Sequence, residues 1–146
     1  MLRSTPFRQP KRRGELAELR FLLRAAEAGF TVSKPYGDSA RFDFIVGDRF
    51  PARVQVRSTS FYSTNRAFVC RLTRGNPPVR YKVTDFDFLA VYIVPHQLWY
   101  IIPTMELNPR HRNVTLYAHV PHSRGRMEHF REAWHLLANS RRSKGP

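Results

Sequence analysis

Arg41-Phe42-Asp43-Phe44-Ile45 and, about a hairpin's length further on, Arg53-Val54-Gln55-Val56-Arg57 place polar groups in runs whose other residues favour a pleated, half-buried surface. Side chains alternate along a strand. Phe42, Phe44 and Val46 are therefore expected on one face with Arg41 and Asp43 on the other, and Val54 and Val56 oppose Arg53, Gln55 and Arg57 in the same way. A carboxylate then stands beside an amide and a guanidinium. Burying that carboxylate is costly unless it is paired or holds a metal, so the runs mark either a site or a structural ion pair.

The chemistry that suits such a set is hydrolysis of a phosphodiester. It needs a cation to draw off developing charge, a positioned water, and carboxylates that hold the cation without satisfying it fully. Mg²⁺ fits, with Mn²⁺ as an alternative, because it takes oxygen ligands, keeps several waters and needs only one or two protein carboxylates. Glu18, Asp43 and Gln55, from a helix and two neighbouring strands, can supply the ligands. Arg57, two residues past Gln55 on the same face, can hold a phosphate oxygen or a nucleophilic water in its anionic form.

The elements that must position these groups are legible in outline. Gly14 opens a stretch of helix formers, Glu15 to Ala28, closed by Gly29 at the stop position. At about 100° per residue, Arg13, Arg20, Arg24 and Glu27 share a narrow face, while Leu16, Leu19, Phe21, Leu22, Leu23, Ala25 and Ala26 cover the rest. Glu15 and Glu18 fall within that apolar arc, a second anomaly of the kind seen at Asp43. Strands are expected at Phe30 to Lys34, around Asp43, at Ala52 to Ser58, at Ala67 to Leu72, at Phe88 to Val94 and at Leu98 to Ile102, the last two as a hairpin. A second helix fits Arg126 to Asn139, with Met127, Phe130, Trp134, Leu137 and Ala138 on one side. The fold class is α/β, with a helix at each end.

The 146 residues suffice for one domain with a proper core and are too few to expect two. Residues 1–13 read as a flexible basic arm, 14–139 as the domain and 140–146 as a basic tail. Lys and Arg number 25 against 11 Asp and Glu, a net charge of +14 spread along the chain, which attracts a polyanion. Nucleic acid is the first candidate, with ribosomal RNA or an anionic membrane surface as alternatives. The single cysteine, Cys70, allows neither an internal disulfide nor a Cys-rich zinc site and fits a cytoplasmic protein. No apolar run approaches a secretory signal or a membrane span. Arg12 and Arg13 in the arm, Arg41 and Arg53 beside the acids, and Tyr62, Asn65 and Arg66 after the Gln55 strand are candidates for contact with nucleic acid, through phosphates or by stacking.

Gly14-Glu15-Leu16-Ala17-Glu18, Tyr36-Gly37-Asp38-Ser39-Ala40-Arg41-Phe42-Asp43 and Gln55-Val56-Arg57 together resemble the PD-(D/E)XK nuclease superfamily, closest to its group I intron homing endonuclease branch and near the archaeal Holliday-junction resolvases. Asp85-Phe86-Asp87-Phe88-Leu89-Ala90-Val91-Tyr92 and Trp99-Tyr100-Ile101-Ile102-Pro103 extend the resemblance to about residue 103. It implies a restriction-endonuclease-like core of one helix and a mixed sheet, Mg²⁺-dependent DNA cleavage, and a homo-oligomer, either dimer or tetramer. By position, Glu18 matches the family's helix acid, Asp43 its metal ligand, and Gln55 a site commonly held by Asp or Glu but by Gln in the homing branch. Arg57 departs from the pattern, which has lysine there. Arginine keeps the charge but stays protonated at any useful pH, so it cannot relay a proton.

Plainer readings stand beside these. Glu18 can pair with a nearby Arg, and Asp43 with Arg53 or Arg57. Glu15 suits a helix N-terminus, and Gln55 and Arg57 suit an exposed polar strand face. Asp38 fits a turn, and Asp85 and Asp87 fit capping or pairing groups. His119-Val120-Pro121-His122 lacks the further ligands of a zinc site. Two functions besides a nuclease remain open: a degenerate nuclease fold that binds DNA or RNA, and a basic protein of the ribosome or another assembly.

Overall fold

The computed structural model describes residues 9–64, 66–119 and 125–138. Helix α1 spans Pro10–Glu27, and the strands are β1 (Val32–Ser33), β2 (Phe44–Val46), β3 (Ala52–Thr59), β4 (Phe68–Arg71), β5 (Phe88–Ile93), β6 (Leu98–Pro103) and β7 (Asn113–Leu116), with helix α2 at His135–Ala138. β1, β2, β3, β5 and β6 form a mixed sheet in that order, in which only β3 and β5 are parallel. β4, on the crossover between β3 and β5, pairs with β7 in a separate two-stranded sheet. The large sheet is thus covered on both faces. All six residues of β5 are accordingly buried and apolar, as a strand needs when both its faces pack.

Two cores result. On one face, Phe44, Val46, Ala52, Val54, Val56, Ala90, Tyr92, Trp99 and Ile101 meet α1 and the C-terminal Trp134 and Leu137. On the other, Leu89, Val91, Ile93, Tyr100 and Ile102 meet Phe68, Cys70, Val114 and Leu116 of the small sheet, along with Tyr81 and Phe86. The alternation expected in β3 is realised: Ala52, Val54 and Val56 are buried, while Arg53, Gln55 and Arg57 between them are partly exposed. Alternation fails one strand earlier. β2 begins only at Phe44, and Phe42, in the preceding bend, packs against the second core rather than beside Phe44.

α1 begins earlier than the sequence suggests. Pro10 occupies its first turn, where a fixed φ and a missing N–H suit the helix, so Gly14 lies inside it and Pro10–Arg13 of the expected arm are helical. Residues 1–8, most of that arm, and the basic tail at 140–146 lie outside the described residues. At the other end Gly29, with φ +89°, lets the N–H groups of Gly29 and Phe30 reach the carbonyls of Ala26 and Ala25. The wide apolar arc contracts to a strip: Ala17, Phe21 and Ala25 are buried, whereas Leu19 and Leu23 are 61% and 63% exposed. Small residues on either side let Phe21 enter the sheet, where its ring centroid lies 5.3 Å from Phe44, 5.4 Å from Trp134 and 5.7 Å from Trp99.

The expected helix over Arg126 to Asn139 is broken. A 3-10 turn at Arg126–Phe130 leads to Arg131, which bridges Tyr100, and α2 follows after Glu132 at φ +48°. Side-chain bonds hold the break: Arg131 pairs with Glu128 and donates to the carbonyls of Ala118 and Tyr117, while Glu132 accepts from the Trp99 N–H and the Trp134 indole. β7 had no clear sequence signal, being four residues with one buried side. Truncating Phe21→Ala should destabilise the protein by about 3–5 kcal/mol. Leu23→Ala should stay within about 0.5 kcal/mol. Urea unfolding of both variants checks this, and equal effects would refute the narrow strip.

Candidate active site

β3 outruns β2. Its ladder with β2 ends at Val54, while its pairing with β5 continues to Thr59. Beyond Val54 that edge would expose a backbone donor. The Val56 N–H instead donates to Asp43 Oδ2 at 2.7 Å, and the Asp43 N–H donates to the Val54 carbonyl at 2.9 Å. The ladder stops at Phe44↔Val54, and Asp43, in the bend before β2, bonds the Val54 carbonyl with its backbone and the Val56 N–H with its side chain, on either side of Gln55 in β3. The carboxylate is thus fixed by the backbone of β3 where the two strands part.

Glu18, half-buried on α1, approaches the same place. Its carboxylate raises the Asp43 pKa by like-charge repulsion and forms an ion pair with Lys34 Nζ at 3.3 Å. Burial contributes most to the rise at Asp43. The Val56 N–H opposes it, as do the charges of Arg57 and Lys34. Among the described residues Asp43 makes no ion pair with Arg53 or Arg57, so the salt-bridge reading of Asp43 loses its partners. Nor do the described residues include a cluster of three or more His, Cys, Asp or Glu suited to a metal. Two repelling acids and an amide oxygen nevertheless fit a hard divalent cation, which takes one or two protein carboxylates and keeps its own waters.

The remaining candidates divide. Arg53 is engaged: Asp87 accepts from its N–H at 2.8 Å and from Nε at 3.3 Å, and the Thr84 carbonyl accepts from Nη1 at 2.8 Å. These bonds clamp β3 to the start of β5, and Asp87 is the pairing group the sequence suggested. Asp85 Oδ2 accepts from the Lys82 N–H, again as expected. Arg12, Arg41 and Arg66 are exposed, as is Glu15. Arg13 lines a groove of about 650 Å³ with Ser58, Ser60, Arg71 and Asn113. Tyr62 packs on Phe68, its hydroxyl 3.2 Å from His119 Nε2. Asn65 and His122 lie outside the described residues. Lys34 was missed because its proximity to Glu18 depends on β1 pairing with β2, a tertiary fact with no local signature.

A sequence model described as PD-(D/E)XK endonuclease matches residues 8–137. No curated protein matches the sequence. Among solved structures, a bacterial homing endonuclease, I-Ssp6803I, is 26% identical with a TM-score of 0.74, over 93% of this chain and 96% of that one. The Holliday junction resolvase Hjc of Archaeoglobus fulgidus is 16% identical with a TM-score of 0.50, over 71% of this chain and 83% of that one, a likeness of fold.

Because folding raises the Asp43 pKa, the folded protein holds that proton more tightly than the unfolded chain does. Ionised Asp43 therefore detracts from stability above its folded pKa, and stability recovers as pH falls through that value toward the ordinary aspartate range. Asp43→Asn keeps an acceptor for Val56 without the charge. Its Tm in the presence of a chelator should exceed that of the wild type at pH 8, with the gap closing toward pH 4. Thermal melts across pH test this, and a lower Tm at pH 8 would show that the ionised form is the stabilising one.

Proposed function

The chain belongs to the PD-(D/E)XK endonuclease family, and from that membership we propose that it is a DNA endonuclease dependent on Mg²⁺ or Mn²⁺. The observation that carries this reading is the half-buried Asp43 carboxylate, oriented by the N–H of Val56, the residue after Gln55 in β3, and repelled by Glu18. Glu18, Asp43 and Gln55 would hold the cation. When bound, the cation supplies charge withdrawal from the phosphate and acidifies a water.

The protein's own groups do the rest. Val56 fixes the direction in which Asp43 presents its free oxygen. Gln55 contributes a neutral oxygen, which limits the negative charge gathered at one point. Lys34 offsets Glu18 from outside the sheet. Arg57 neutralises charge on the pentavalent phosphate and, as an arginine, takes no part in proton relay. Arg12, Arg13, Arg41 and Arg66, with Tyr62 and Asn65, are proposed to hold the DNA backbone on the cationic surface.

The similarity to the homing endonuclease, at higher identity and coverage than the resolvase, favours homing-type cleavage over junction resolution. Residues 14–139 are taken as the catalytic unit. We also propose a homo-oligomer, dimer or tetramer. The exposed Leu19, Leu22 and Leu23 give α1 an apolar outer face, which supports that state. A cytoplasmic setting is proposed from the lone, buried Cys70; among the described residues no helix is long and apolar enough to cross a membrane. Arg57, standing where lysine is usual, supports a second reading, a degenerate fold that binds DNA or RNA without cutting.

Cleavage of supercoiled, linear and four-way-junction DNA in Mg²⁺ or Mn²⁺ separates the two. Wild type should cut, and Asp43→Ala or excess chelator should reduce the rate by about 10²- to 10³-fold, the scale on which removing one transition-state stabiliser acts. Arg57→Lys should cut no faster than the wild type. A large gain for Arg57→Lys would mean that arginine has cost the enzyme its activity. Salt-sensitive binding with no cutting by any protein would establish the binding module.

A further inference from the structure

On the side of β3 facing away from α1, Arg41, Gln55, Arg57, Arg74, Tyr81 and Asp85 line a cavity of about 20 Å³. That is room for one oxygen-sized group. Its floor is apolar, made by Leu72, Phe86 and Leu89. Of the three buried side-chain polar atoms without a hydrogen-bond partner among the described residues, two, Arg57 Nε and Tyr81 Oη, belong to side chains that line this cavity, and the third is His119 Nδ1. Buried donors are rarely left unmet, so the first two call for an acceptor. Asp85, the one acid of the lining, already accepts from the Lys82 backbone N–H, while Arg41 and Arg74 are exposed at the rim. Burial raises the Tyr81 pKa, which keeps the phenol a donor at working pH. Donors within, three guanidinium groups around and space for a single oxygen describe a receptor for one corner of an anion.

We propose that Tyr81 and Arg74 form, with Arg57, a subsite for a backbone phosphate flanking the one that is cut: one non-bridging oxygen enters the cavity and Arg74 and Arg41 hold those left outside. This rests on the nuclease reading for the identity of the strand, while the subsite itself stands on the orphaned donors. Arg57 would then join two neighbouring phosphates, and Tyr81 would register the strand against Asp43 and Gln55.

The test is duplex DNA binding in chelator, measured by fluorescence anisotropy from low to moderate salt, for wild type, Tyr81→Phe, Arg74→Ala and Asp43→Ala, with cleavage measured in parallel. Arg74→Ala should reduce the slope of log K against log salt by about 0.9, the loss of one phosphate contact. Tyr81→Phe should weaken binding roughly ten-fold with the slope kept, as for a lost hydrogen bond to a charged group. Asp43→Ala should bind with the wild-type slope. Variants that bind and cut like wild type would overturn the subsite and leave the cavity to a structural water. So would a wild type that binds no duplex. A wild type that does not cut, combined with the expected changes in slope and affinity, would overturn the nuclease reading and keep the subsite. Inorganic phosphate is the second probe: Tyr81-dependent stabilisation by it, with DNA binding unchanged in both variants, would assign the cavity to a free anion and overturn the proposal. Arg74 is exposed, so its variant remains informative if Tyr81→Phe unfolds.

Discussion

One backbone donor at the point where β2 leaves β3 governs the geometry around it. The Val56 N–H has β5 on its far side and no further β2 residue to receive it, because the β2 ladder has ended at Val54. A backbone amide left bare beside a packed core is destabilising, and the Asp43 carboxylate is what meets it, at 2.7 Å. The bond does two things together. It completes the hydrogen bonding of an interior strand with a side chain, and it holds a carboxylate where burial and Glu18 both disfavour its charge. The opposed effects coexist because the amide dipole offsets part of the desolvation, and the rest of the fold carries the remainder.

The polar face of β3 shows how partners, and not residue type, assign roles. Arg53 and Arg57 lie four residues apart on the same face of one strand. Arg53 meets Asp87 and the Thr84 carbonyl, and so ties the start of β3 to the segment entering β5. Among the described residues Arg57 acts on Asp43 through its field, and its Nε has no partner. Between them Gln55 can neither repel Asp43 nor neutralise it. Charge around the site is therefore graded: a satisfied arginine, a neutral amide and an unsatisfied arginine follow one another along the strand. Lys34, just past β1, supplies the counter-charge for Glu18 without occupying Arg57.

Where a single periodicity decides the structure, the sequence was sufficient. Ala52 to Ser58 alternates because β3 is covered by helix on one side and by polar and small-sheet residues on the other, and the Phe88 and Leu98 runs are apolar because β5 and β6 lie inside. Glu18, Asp43, Gln55 and Arg57 stand out for the same reason, as polar groups breaking an apolar rhythm. The reading failed where tertiary packing selects among equivalent local patterns. Leu19, Leu22 and Leu23 look as buriable as Phe21, yet the sheet accepts only the strip in which two alanines flank one large ring. Phe42 turns to the opposite core because the chain is bent, not extended, before Phe44. Tyr81 and Arg74 carry no pattern at all: a loop between distant strands brings them to Arg57.

The arginine at position 57 and the two orphaned donors are one physical feature. A lysine stem at that position would put a methylene where arginine has Nε, a group content beside Leu72 and Leu89, and its single ammonium would lie further out. Arginine instead carries a buried donor that none of the described residues meets. That arrangement is unfavourable in the empty protein and favourable only once an oxygen arrives, which is how a site reserves interaction for its ligand rather than for its own fold. Tyr81 behaves alike, with an aromatic body packed on Phe86 and a hydroxyl left unmet. On the proposed reading, the departure from lysine would exchange proton-transfer capacity for a grip on phosphate.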